Sequence, residues 1–195
     1  PMSYCLFLVI LFNSFTPATN TGKLKIKAEE AFKYVVYKQY NQKYAILVDM
    51  KIHSGKNRLF VWDFEGDSVL FKGLCGHGCC DNQWASDETK ENPKFSNVPE
   101  SHCSSLGKYK IGARGVSSWG ININYVLHGL ENSNSKAVER QIVLHSWDMV
   151  SETEVYPQGT PEGWGCPVVS NETMRKLDQL IRYSRKPVLL WIYND

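Results

Sequence analysis

The sequence predicts a mainly β (α+β) fold, a sandwich or incomplete barrel with one helix ahead of its strands and another behind Cys166. Three observations predict it. Short apolar runs separated by turns rich in Gly, Asn and Asp recur through the middle of the chain. Two amphipathic stripes with three- and four-residue steps flank them. No internal repeat or low-complexity linker divides the chain, and 195 residues with 43% hydrophobic and 22% charged side chains suit a single domain with one core.

The first feature in chain order is an unbroken apolar run, Tyr4-Cys5-Leu6-Phe7-Leu8-Val9-Ile10-Leu11-Phe12, followed by Asn13, Ser14, Thr16, Pro17, Ala18 and Thr19. It is too short to span a bilayer. A buried strand or core helix is the plainer reading, but the length and polar flank match a secretory signal over residues 1–19 cleaved near Ala18, although no Lys or Arg precedes the run. Residues 20–195 then form the single domain of an exported protein, with no stable membrane insertion after cleavage.

From Lys27 to Tyr40, Ala28, Ala31, Phe32, Val35 and Val36 mark an amphipathic helix. Strand-like runs follow at Tyr44 to Ile52, Arg58 to Phe64 and Ser68 to Leu74, joined by short turns as an antiparallel meander. Residues 75–103 lack any period and read as one long loop. Strand signals return at Gly107 to Ile111, Ile121 to Leu127 and Gln141 to His145. Asp148 to Glu162, with Pro157, Gly159 and Pro161, is expected to form a flap. Ser170 is the expected N-cap of a helix with the stripe Met174, Leu177, Leu180 and Ile181, and Pro187 to Tyr193 is the last strand. Trp62, Trp119 and Trp191, in or beside strands, are expected in the core.

The net charge of +2 is spread among acids with no basic run, which excludes nucleic acid as a partner. With the leader removed, Cys75, Cys79, Cys80, Cys103 and Cys166 remain. In an oxidising compartment the first four have partners among themselves, in a connectivity that spacing leaves open, and Cys166 is left as an unpaired thiol.

The sharpest local feature is Gly163-Trp164-Gly165-Cys166-Pro167. A cysteine attacks as its thiolate, which needs a base or a positive environment, and amides on a glycine-bearing turn can bind the oxyanion that forms. His145 ends an apolar strand, which suits a firmly held imidazole. The blander readings are a buried structural thiol for Cys166 and a satisfied core histidine for His145. A strand-edge ion pair is the alternative for Arg140.

Four stretches now make a resemblance specific: Phe95-Ser96-Asn97 with Ser104-Ser105-Leu106-Gly107-Lys108-Tyr109, Leu127-His128-Gly129-Leu130-Glu131, Ala137 to His145, and Gly163 to Pro167. Over roughly residues 27–194 the chain resembles the L,D-transpeptidase catalytic domain of the YkuD-like superfamily, in the branch whose cysteine motif reads Gly-Cys-Pro. Three positions depart from the broader motif: Gly163 stands for Ser or Thr, Trp164 for His, and Val168 for Asn or Arg.

The resemblance implies a peptidoglycan-modifying cysteine acyltransferase acting on stem peptides, with no cofactor and no metal. Cys166 would form a thioester, expelling D-alanine, and an amine acceptor or water would resolve it. His145 would carry the proton, its tautomer fixed by the Ser146 carbonyl. Trp164 and Gly165 would supply oxyanion-hole amides, and Arg140, His128, Trp147 and His77 would hold substrate or line the cleft. A hydrolase using the same thioester and a non-catalytic wall-binding domain are the rival readings. His77-Gly78-Cys79 imitates the motif, but no helix start follows Cys80, so it reads as a decoy; its irregular spacing also argues for disulfides over zinc.

Overall fold

The last apolar run of the sequence, Leu189–Tyr193, becomes an inner strand of one eight-stranded sheet in the computed structural model, which describes residues 20–195. The expected leader lies outside the described residues. The strands are β1 (Tyr44–Asp49), β2 (Leu59–Asp63), β3 (Ser68–Gly73), β4 (Gly107–Val116), β5 (Ile123–Gly129), β6 (Val143–Ser146), β7 (Val168–Val169) and β8 (Leu189–Tyr193). Helix α1 (Asn20–Lys38) precedes them, and α2 (Asn171–Arg182) separates β7 from β8. The order across the sheet is β3-β2-β1-β8-β4-β5-β6-β7, a mainly β, barrel-like fold left incomplete between β3 and β7.

The inner strands are apolar on both sides because both sides are covered. Ile46, Val48, Leu190 and Ile192 point into one core with Met174, Leu177 and Ile181 of α2. Ala45, Leu47, Leu189, Trp191 and Tyr193 point the other way, against Leu24, Ala28, Ala31 and Val35 of α1. A strand buried on both faces loses the alternation that marks a half-exposed one, and β1 pairs with β8 in parallel, as doubly covered strands commonly do. Trp62 and Trp191 lie in this second core.

The meander β1-β2-β3 is antiparallel, as its turn-separated runs predict. Helix α1 starts at Asn20, earlier than Lys27, because Leu24 extends its buried stripe. Strand β4 runs on to Val116 through an irregularity between Ile111 and Arg114. Strand β7 has only two residues and no period to read.

Two expectations need correction. Residues 148–162 do not form a flap. Val155 and Tyr156 donate to the Gly55 carbonyl, Thr160 bonds Ser54 through its amide at 3.1 Å and its hydroxyl at 2.6 Å, and Gly159 donates to Asp87 at 2.7 Å. The segment's polar groups are thus spent on the 53–57 turn and the 83–90 loop. The cysteine cluster also pairs less than expected: Cys80 and Cys103 form a disulfide, while Cys75 and Cys79 stay buried thiols.

Ser170 caps α2, accepting from Thr173 N–H at 3.2 Å while donating to Glu152. Replacing it by alanine should cost about 1 to 2 kcal/mol, as N-cap losses do. A lower urea midpoint with unchanged slope is expected, and an unmoved midpoint would show that the cap does not secure the helix behind Cys166.

Candidate active site

Strand register brings the two chemically interesting side chains together. After residue 162 the chain returns so that β7 lies parallel to β6, with His145 opposite Val168 and Ser146 opposite Val169. Cys166, two residues before Val168, therefore falls level with Val143, two residues before His145. Its Sγ accepts a hydrogen bond from Val143 N–H at 3.4 Å and lies 4.0 Å from the Gln141 carbonyl. The thiol is free and half-buried.

His145 is held by its own strand. Nδ1 lies 3.0 Å from the Ser146 carbonyl, which accepts its proton and leaves Nε2 with a lone pair. Ser146 is fully buried, and its hydroxyl accepts from Ile121 N–H at 3.1 Å. Imidazole and thiol line one cavity of about 380 Å³, where Arg140 is the only other ionisable lining group among the described residues. No hydrogen bond joins Sγ to the ring among the described residues. Such contacts are commonly long before substrate enters and close on binding.

The turn ahead of the sulfur is clamped from behind. Gly163 donates to the His77 carbonyl at 2.8 Å and accepts from Cys79 N–H at 2.7 Å. Gly165 has φ +100°, and a Cβ there would stand 2.6 Å from the Cys103 carbonyl, so only glycine fits. The Gly165 carbonyl accepts from Ser104 Oγ at 3.1 Å. The amides of Trp164, Gly165 and Cys166 take part in no hydrogen bond among the described residues, which leaves three consecutive donors for an anion.

Burial pushes the Cys166 thiol above its ordinary range, against the Val143 amide and the Arg140 guanidinium, which favour thiolate. Burial likewise pushes His145 below its ordinary value, the bond to Ser146 opposing it. Both directions favour a neutral thiol beside a neutral imidazole at neutral pH over a standing ion pair.

The other expected residues scatter. Trp147 lines the cavity. Arg140 lines it too, but its guanidinium is engaged with the 96–105 loop: Nη1 donates to Ser96 O at 2.9 Å and Nη2 to Cys103 O at 2.5 Å. His128 is outside the cavity lining, its ring packed over the bare Cα of Gly112. His77 does not line the cleft and is corrected here. It is fully buried, taking a hydrogen bond from Arg58 Nη2 at 2.7 Å on Nδ1 and meeting Thr89 Oγ1 at 2.8 Å through Nε2. Burial, with Arg58 beside it, holds His77 well below its ordinary pKa, so it is a neutral bridge.

Trp119 is also corrected: it is 45% exposed and lines the cavity, since the turn after β4 carries it out of the sheet. Trp84, unmentioned by any sequence signal, stacks on Trp147 at 5.0 Å on the same cavity wall. A tryptophan stranded in a polar, aperiodic loop is the one clue that would have found it.

A sequence profile described as the L,D-transpeptidase catalytic domain matches residues 18–193. No curated protein sequence matches significantly. Among solved structures, the helical cell shape determining protein Pgp2 from Campylobacter jejuni is similar with TM-score 0.49 and 13% identity, over 78% of this chain and 48% of that one. The Ldtfm–avibactam carbamoyl enzyme is similar with TM-score 0.44 and 11% identity, over 80% and 50%. An L,D-transpeptidase from Xylanimonas cellulosilytica has TM-score 0.40 and 10% identity, over 83% and 68%. The chain spans about half the length of the first two.

If Arg140 favours the thiolate, Arg140→Gln should raise the pH at which Cys166 is half-maximally alkylated. Iodoacetamide labelling of the Cys166 peptide, followed by mass spectrometry across a pH series, reads this directly. A half-reaction pH that stays put or falls would remove Arg140 from the electrostatics of the sulfur.

Proposed function

Because the chain belongs to the L,D-transpeptidase catalytic-domain family, whose activity modifies peptidoglycan, we propose that it processes stem peptides through a thioester on Cys166. The observation that carries this reading is one juxtaposition. A free thiol and an imidazole with an unused Nε2 line the same cavity, and the turn that carries the thiol has three unengaged amides.

In the proposed reaction Sγ attacks the carbonyl carbon of the bond before the terminal D-alanine while His145 Nε2 takes the thiol proton. The carbonyl oxygen becomes an oxyanion and accepts hydrogen bonds from the amides of Trp164, Gly165 and Cys166. The tetrahedral adduct collapses as the C–N bond breaks, and the imidazolium returns its proton to the leaving amine. A thioester remains. An acceptor amine attacks it in transfer, giving an amide and a free thiol again; water attacks it in hydrolysis, giving a shortened stem. Neutral starting partners suit this sequence, because charge appears only as the bond forms, where the amides and Arg140 can stabilise it.

Arg140 serves this reading as a fixed positive charge, since its visible bonds go to protein carbonyls and hydroxyls. Export to the periplasm or cell envelope, where the substrate is found, belongs to the same proposal. Among the described residues no helix is long and apolar enough to cross a membrane.

Incubation with a stem tetrapeptide should release D-alanine and leave an acyl adduct on Cys166, seen by intact mass. Cross-linked products assign transfer, and shortened stems alone assign hydrolysis. Cys166→Ala should abolish both, and His145→Gln should slow turnover at least about a hundredfold, the usual range for a lost general base. A Cys166→Ala protein as fast as the parent would end the proposal.

A further inference from the structure

Four of the chain's six tryptophans meet at one wall of the Cys166 cavity. Trp84 is the hub, with ring centroids 6.1 Å from Trp119, 6.2 Å from Trp164 and 5.0 Å from Trp147. Trp147 is covered, but Trp84, Trp119 and Trp164 are 41%, 45% and 61% exposed. Folding should not leave three indoles uncovered side by side at the mouth of a reactive cavity, and patches of this kind mark binding surfaces.

The chemistry around the wall selects its guest. No carboxylate lines the cavity to hold a cation, and the Arg140 guanidinium already donates to Ser96 O and Cys103 O, so beside the indoles it offers no open fork to a carboxylate. His102 stacks on Trp164 with centroids 5.4 Å apart, and the other side chains that line this cavity beside the indoles, Arg140, His145 and Cys166 apart, are neutral, several of them hydrogen-bonding. The side chains of Ser118 and Gln141 are exposed and bond to no other residue among the described residues. Flat apolar faces edged by neutral donors and acceptors complement a ring that is apolar on its C–H face and polar at its rim. A pyranose has that shape. Stem peptides, built from small and charged residues, present no such face.

The geometry points to a sugar-binding subsite on Trp84, Trp119 and Trp164, which takes N-acetylated pyranose rings of the glycan beside the stem processed at Cys166. This rests on the reading of peptidoglycan as substrate. Trp84 lies against both Trp164, two residues from Cys166, and Trp119, each ring tilted by 50° to it, so the indoles offer faces at different angles to a sugar. The effect of the subsite is to favour stems still attached to glycan over free peptides, adding binding away from the reacting bond.

The test uses full-length Cys166→Ala protein, labelled with ¹⁵N, so that binding is read without turnover. Its six indole N–H signals are followed during titration with a β-1,4-linked N-acetylglucosamine tetramer carrying no peptide. The signals of Trp84, Trp119 and Trp164 should move, while those of Trp62 and Trp191, inside the α1-facing core, stay fixed. Trp119→Ala should raise the sugar Kd about tenfold, a typical loss for one aromatic contact. Millimolar sugar that moves none of the three signals overturns the subsite. So does movement of all six alike, or movement caused by free stem peptide and not by sugar. The two proposals fail separately: sugar binding without any peptide processing by the parent protein removes the acyl-transfer reading and keeps the subsite, and processing without sugar binding does the reverse.

Discussion

A parallel pairing of only two residues decides whether this molecule has a site at all. Strand β7 lies beside β6 in the register His145↔Val168 and Ser146↔Val169, and that register alone places a sulfur two residues upstream against Val143. Slipping by one residue would turn Cys166 to the opposite face, because side chains alternate with a period of two. So short a strand cannot hold its register by its own ladder. It is held from outside by bonds between residues 76–79 and 163–168: Gly76 N–H to Val168 O at 2.6 Å, Cys79 N–H to Gly163 O at 2.7 Å, and Gly163 N–H to His77 O at 2.8 Å. Helix α2 then pulls from the other end, starting at its Ser170 cap.

Those outside bonds rest in turn on a buried polar chain. Arg58, with no exposed surface, donates to Cys75 O at 2.7 Å and to His77 Nδ1, and His77 meets Thr89, whose hydroxyl donates to Glu162 at 2.9 Å. A guanidinium without water is costly, and burial draws Arg58 down to about 10. Leaving that cation and the fully buried Glu162 at opposite ends of a neutral imidazole compensates part of the cost and joins three otherwise irregular segments. Glu162 immediately precedes the turn of Cys166, and its carbonyl accepts from Ala85 N–H at 2.9 Å beside Trp84. One network therefore sets both the turn that carries Cys166 and the loop that carries Trp84.

The sequence made legible those parts whose cause is local. Apolar runs separated by turns marked the meander, the stripe at Met174, Leu177 and Ile181 marked α2 with its Ser170 cap, and Gly163 to Pro167 marked the turn that bears the sulfur. What it concealed depends on distant partners. His77 stood among the cleft residues that the resemblance implies, yet only folding brings Arg58 and Thr89 to its two nitrogens. Trp119 looked like core because strands surround it, while the turn at Gly120, with φ +54°, throws it outward. Asp148 to Glu162 looked free for its Pro and Gly content, and its anchors on Ser54 and Gly55 lie about a hundred residues earlier in the chain.

Arg140 shows why position outweighs residue type here. A guanidinium near a nucleophile suggests a clamp for a substrate carboxylate, with its planar fork left free. In this fold the fork closes on Ser96 O, Ser105 Oγ and Cys103 O, next to the disulfide from Cys80 to Cys103. The charge nevertheless remains, and partial burial weakens the solvent screening that would otherwise hide it from Cys166. An arginine spent on structure thus still lowers the cost of forming a thiolate. The loop it secures is the one whose carbonyl forbids any side chain at Gly165, so the same contact that tightens the turn also charges its surroundings.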